Sequence, residues 1–61
     1  MTVDEYETIR LMDHLGYTQE ECARQMGVSR PTVTGIYESA RRKLAAFLVE
    51  GRSLSIEGGN Y

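Results

Sequence analysis

QEECARQMGVSRPTVTGIYE, residues Gln19 to Glu38, is the stretch whose reading decides the fold. It divides into two short helical segments around a tight turn, the arrangement of a helix-turn-helix. Ala23 stands where two helices cross closely, and a larger side chain there would push the second helix away. Gly27 stands where the chain must turn, and such turns need a positive φ that a β-carbon resists. Val28 is expected to plug the turn, with Val33 and Ile36 as an apolar seam on the inner face of the second helix. An ordinary helical hairpin with no DNA role would share some of these residues. Small, turn and apolar residues all fall at compatible spacings, which favours the DNA-binding motif.

Start and stop signals extend the reading outward. Thr18 and Glu21 have capping-box spacing, with Tyr17 and Cys22 in the staple positions. Ser29 is placed to cap the next helix, and Pro31 falls in its first turn, where a missing N–H costs little. Upstream, Thr2 and Glu5 repeat the capping-box spacing. Val3, Tyr6, Ile9, Met12 and Leu15, with Leu11 alongside, recur at helical period until Gly16. Downstream, Val33, Ile36, Tyr37, Ala40, Leu44, Phe47 and Leu48 run along one face to Glu50, with Gly51 as terminator. The expected fold is all-α: a three-helix domain over residues 1–52 with helices at about 3–15, 19–26 and 30–50. Ser53 to Glu57 alternates polar and apolar residues, a short strand pattern. A lone strand cannot satisfy its own backbone groups. The tail, 53–61, therefore either pairs with the same segment of a second copy, through Leu54 and Ile56, or lies as an extended arm across the helices.

Composition narrows the function classes. A chain of 61 residues holds one domain at most, and its small core invites dimerisation. The longest apolar run, Leu44 to Val49, is far too short to span a membrane. The polar, acidic start does not read as a signal peptide, so the expected setting is cytoplasmic. Cys22 is the only cysteine, so no intrachain disulfide forms, and it reads as a small core residue. With His14 as the only histidine, the usual zinc ligand set is missing. No nucleophile, base and orienting group cluster, and there is no Gly-rich phosphate loop. Neither an enzyme nor a cofactor or metal is expected.

The formal net charge of −2 argues against binding nucleic acid with the whole surface. The charge is unevenly spread. Asp4, Glu5, Glu7, Asp13, Glu20 and Glu21 outnumber Arg10 and Arg24 in the first half. Arg30, Arg41, Arg42, Lys43 and Arg52 outnumber Glu38 and Glu50 in the second. Positive charge on the second motif helix and its extension suits a helix that meets phosphates. A solvated basic face is the plainer alternative.

Four pieces carry a family likeness: Thr2-Val3-Asp4-Glu5, Gly27-Val28-Ser29-Arg30-Pro31-Thr32, Glu38-Ser39-Ala40-Arg41-Arg42-Lys43 and the closing Ile56-Glu57-Gly58-Gly59-Asn60-Tyr61. The chain resembles, over nearly its whole length, a family of small uncharacterised predicted DNA-binding proteins of bacteria and archaea. Their helix-turn-helix looks like the promoter-reading fourth region of sigma factors. The middle pieces are common to many such motifs, whereas the closing EGGNY is distinctive. The resemblance implies a DNA-binding fold and a regulatory role. Typical members are longer, with a basic, Pro-containing segment ahead of the position of Thr2, where this chain begins at Met1. Gly35 stands where a larger, often basic, residue is commoner. Both departures lower the expected affinity for DNA.

On the usual motif geometry the third helix enters the major groove, with Ser29, Arg30, Pro31, Thr34, Gly35 and Glu38 facing the duplex. Arg30 is expected to contact a guanine or a phosphate. Thr32 and Thr34 can donate to phosphates or touch a thymine methyl, and Glu38 can accept from cytosine. Arg41, Arg42 and Lys43 are expected on phosphates, setting register without reading sequence. Gln19 is expected to anchor the backbone at the start of the second helix. Tyr37 lies on the seam and reads as core. The leading expectation is a transcriptional regulator that binds double-stranded DNA as a homodimer. The rival is a protein-interaction module on a sigma-like scaffold, its acidic first half meeting RNA polymerase or another regulator.

Overall fold

A computed structural model of the chain describes residues 1–51 and 56. Three helical segments follow one another: α1 (Val3–Ile9), which passes directly into a π-helical turn (Arg10–His14), then α2 (Gln19–Met26) and α3 (Arg30–Glu50). Among the described residues there is no extended strand. Leu54 and the rest of the strand-like tail lie outside the described residues, apart from Ile56.

Each helix starts on a side chain that satisfies backbone N–H groups left over at a helix N-terminus. Thr2 Oγ1 accepts from the Glu5 N–H at 3.1 Å, and Glu5 Oε1 accepts from the Thr2 N–H at 2.7 Å. Thr18 and Glu21 form the same reciprocal box at 3.1 and 2.9 Å. Ser29 Oγ accepts from the Thr32 N–H at 3.3 Å, with Pro31 in the first turn. α2 ends on Gly27 at φ +71°, with the Gly27 N–H donating to Arg24 O and the Val28 N–H to Ala23 O at 3.0 Å. These paired bonds are the Schellman ending. No atom lies within 4 Å of where a β-carbon on Gly27 would stand, so glycine is required by its φ and not by crowding.

The core is small. Leu11, Cys22, Ala23 and Val33 form its centre, with Met12, Tyr17 and Met26 packed around them. Ala40 is buried farther along α3. Ala23 and Val33 take the crossing and seam positions expected of them. Val28 does not plug the turn: it is 38% exposed. Its backbone N–H closes α2, and its side chain sits at the rim.

The first helix departs furthest from its sequence pattern. A regular helix over 3–15 would bury Tyr6, Ile9 and Leu15. Leu11 is buried as its place in the pattern suggests, but Glu5 and Thr8 are buried beside it, while Tyr6 and Leu15 are exposed. Two causes act, the π turn on Leu15 and the pairing of polar groups on Glu5 and Thr8. The π turn is closed by the Leu15 N–H donating to Arg10 O at 3.0 Å. It inserts a residue into the helical repeat and resets the phase of the residues after it. The polar groups on the inward face are also paired. Thr8 Oγ1 donates to Asp4 O at 2.8 Å and lies 3.5 Å from Met26 Sδ. Among the described residues no buried side-chain polar atom lacks a partner.

Leu11 is only 1% exposed, whereas Leu48 is 75% exposed. Leu11→Ala should therefore cost about 2–5 kcal/mol in chemical denaturation, and Leu48→Ala should stay within about 0.5 kcal/mol of the parent.

Candidate nucleic-acid interface

The face of α3 turned from the core is built by its first turns. Arg30, Thr34, Glu38 and Arg41 recur at helical period and form one stripe, with Pro31, Gly35 and Arg42 beside it. All but Thr34 are exposed, and Thr34 is half-buried. Ser29 and Thr32, also exposed, flank the stripe's start with their hydroxyls 2.8 Å apart.

Gln19, the first residue of α2, ties the two motif helices together beside this stripe. Its Oε1 accepts from Thr34 Oγ1 at 2.8 Å and from Arg30 Nε at 3.5 Å. Thr34 Oγ1 also lies 3.2 Å from Arg30 O, so its rotamer is held from two sides. Arg30 Nη1 lies 3.7 Å from Glu20 Oε1, an ion pair with both side chains largely exposed.

Farther along α3, Arg41 and Lys43 each meet an acid from the first segment. Arg41 Nε lies 3.4 Å from Asp13 Oδ2, with its guanidinium 5.3 Å from the centre of the Tyr37 ring. Tyr37 Oη donates to the other Asp13 oxygen at 2.7 Å, and this bond together with burial raises the phenol above its usual range. Tyr37 is therefore half in the seam and half a polar strut to the π turn. Lys43 Nζ donates to Glu5 Oε1 at 2.8 Å, and Ser39 Oγ donates to Glu5 Oε2 at 2.6 Å. Lys43 thus points toward α1 and away from the stripe. Among the described residues Arg42 has no ion-pair partner.

Glu5 is the centre of this arrangement. Burial alone would raise its pKa. The bonds from Lys43, Ser39 and Thr2 outweigh that effect and hold it at about 2, against an ordinary 4.5. Glu5 therefore does not belong to an exposed acidic face. Asp13 and Glu20 are on the surface but already face Arg41 and Arg30. Sequence spacing gave Glu5 a local capping role and also counted it with the other acids of the first half as a partner-binding face. Nothing in the spacing shows that Glu5 and Lys43 meet across the fold.

Cys22 is buried, and burial followed by the charge of Glu7 raises its thiol pKa. Its Sγ lies 3.6 Å from Met26 Sδ, which fits a packing role. Among the described residues no group of His, Cys, Asp and Glu is placed to hold a metal, and no helix is long and apolar enough to cross a membrane.

A compact helical unit with these caps defines a small three-helix class of protein. The chain belongs to the family described as "Protein of unknown function DUF134", whose model matches residues 1–61. It is 67% identical over 61 residues to a UPF0251 protein of Desulfitobacterium hafniense, covering 100% of this chain and 49% of that relative. It is 56% identical to a UPF0251 protein of Thermoanaerobacter pseudethanolicus, covering 100% of the chain and 52% of the relative. A UPF0251 protein of Halothermothrix orenii is 52% identical, again over the whole chain and 45% of the relative. The chain thus spans about half the length of the curated relatives it matches. No solved structure matches it.

The low pKa of Glu5 makes stability depend on acid in a stated direction. A carboxyl depressed in the folded state contributes stability above its unfolded value and loses it as pH falls through the folded one. Unfolding free energy should thus drop as pH is lowered from about 4.5 toward about 2. Glu5→Gln should flatten that dependence and cost about 1–3 kcal/mol at neutral pH, read by urea titration across pH.

Proposed function

We propose that this chain is a sequence-specific module for double-stranded DNA, acting in transcriptional regulation, with α2, the turn and α3 as its helix-turn-helix. The observation that carries the reading is the exposed stripe on the first turns of α3, held at its base by Gln19. A major groove admits one α-helix, and the N-terminal turns of that helix meet base edges. Arg30 and Thr34 are the base-reading candidates, with Ser29, Thr32 and Glu38 at the margins. Pro31 and Gly35 keep the backbone close without contributing donors. Arg42, and Arg41 where it exchanges Asp13 for DNA, would meet phosphate, and Gln19 the sugar-phosphate strand beside the start of α2. Lys43 stabilises the fold through Glu5 and is secondary as a phosphate contact.

A single copy reads few base pairs. The reading therefore includes a homodimer, with two α3 helices in half-sites about 34 Å apart. Leu54 and Ile56 remain the proposed dimer contacts.

The pairing of Arg30, Arg41 and Lys43 with acids supports a second reading. On that reading the same scaffold is a protein-interaction module with weak DNA affinity, and RNA polymerase or another regulator is its partner.

Fluorescence anisotropy against a random and a pool-selected duplex separates the two. The DNA reading expects binding at low salt, a steep loss with added salt, and a loss of about 1–3 kcal/mol for Arg30→Ala on the selected duplex. Absence of binding at low salt, or an unaltered Arg30→Ala, would remove α3 as a reader.

A further inference from the structure

Glu20 occupies an unexpected place for a protein that reads DNA. On the DNA-binding reading, the start of α2 and the side chain of Arg30 together form the corner of the motif that meets a phosphate strand. A helix N-terminus favours an anion there through its free N–H groups and dipole. This corner already contains one. Glu20 Oε1 sits 3.7 Å from Arg30 Nη1, and Gln19 Oε1 takes the Arg30 Nε at 3.5 Å. Glu20 makes no capping bond at the helix start, since the capping box there is made by Thr18 and Glu21, and acts on it only through its charge. Nor is it needed for stability, because an exposed pair of this kind contributes little. Its carboxylate and a DNA phosphate would compete for the same guanidinium.

We infer that Glu20 is a specificity-determining residue: an internal anion that occupies Arg30 in place of phosphate and sets a threshold against unselected DNA. The inference rests on the DNA-binding reading above. Phosphate attraction is the same for every sequence, so it raises binding to all duplexes together. An acid at the phosphate corner lowers that common contribution. Arg30 then leaves Glu20 only where a base edge, reached with Thr34 beside it, offers a better partner. Discrimination increases through a repulsive element built against the wrong ligand. Gln19 completes the device as a positioning residue. Its one oxygen holds both Arg30 and Thr34, so the two readers are released or engaged together.

The test compares the parent chain with Glu20→Gln, which keeps shape and removes charge, and with Glu7→Gln as a control for net charge. Glu7, on α1, pairs with Arg10 at the start of the π turn and makes no contact with Arg30 or Gln19. Circular dichroism melts establish that all three are folded. Anisotropy is then measured with a random duplex and a pool-selected duplex over a range of salt. Glu20→Gln should tighten the random duplex by about fivefold, on the order of one removed like charge near a surface phosphate. The selected duplex should gain less, so the ratio between the two falls. The slope of log affinity against log salt on the random duplex should steepen by about 0.9, the mark of one added phosphate contact. Glu7→Gln should leave ratio and slope as in the parent. If the parent prefers the selected duplex and Glu20→Gln changes neither ratio nor slope, the filter is overturned while the DNA reading stands. Equal gains from both substitutions would also overturn it, as a plain effect of net charge. If no variant binds any duplex at low salt, the DNA reading fails and the filter fails with it.

Discussion

The buried carboxylate of Glu5 is the constraint on which the rest of the structure depends. It closes the first capping box through the Thr2 N–H and reaches across the fold to Ser39 and Lys43 on α3. One side chain therefore starts α1 and fixes it against the middle of the longest helix. A carboxylate so placed would be costly without partners. Here it accepts three hydrogen bonds, one from an ammonium, and the ion remains charged. With α1 fixed at that end, the π turn brings Asp13 to Tyr37 and Arg41. Two polar ties, at Glu5 and at Asp13, thus set α3 relative to the first segment. The apolar centre at Leu11, Cys22, Ala23 and Val33 sets it relative to α2.

This scheme suits a chain with few large buried side chains. Leu11 and Val33 are the largest apolar groups fully enclosed, and Ala23 and Ala40 contribute close approach more than area. Non-directional burial of so little surface would leave helix orientation loosely defined. Directional bonds supply what area does not. The cost falls on the charge available to a partner, because Arg41 and Lys43 are committed to internal acids. The exposed basic surface is consequently narrower than the count of cations implies.

Much of the fold was legible in the residues. Thr2 with Glu5 and Thr18 with Glu21 announce reciprocal caps. Ser29 followed by Pro31 announces the start of α3, and Gly27 the end of α2. These signals are local, each resolved within about one turn of chain, and short-range geometry does not depend on what packs above it. The stripe of Arg30, Thr34 and Glu38 was legible for the same reason, since helical period alone places it. The buried face of α1 was not. Periodicity chose Tyr6, Ile9 and Leu15 because it ranks residues by polarity. The structure kept Leu11 but buried Glu5 and Thr8 beside it, because partners far away in sequence made the polar choices favourable.

By itself the sequence determined where the helices start, that the turn at Gly27 takes a left-handed backbone, and which residues of α3 share an outward face. All are consequences of bonds and sterics within a few residues. Only the tertiary structure decided which charges remain free on that face. Glu5 with Lys43, Asp13 with Arg41 and Glu20 with Arg30 are pairs between elements. Their existence depends on helix crossings, which no spacing within one helix encodes. Gln19 to Glu38 thus set the motif in place, and the acids around it decide how much of its positive charge a partner can meet.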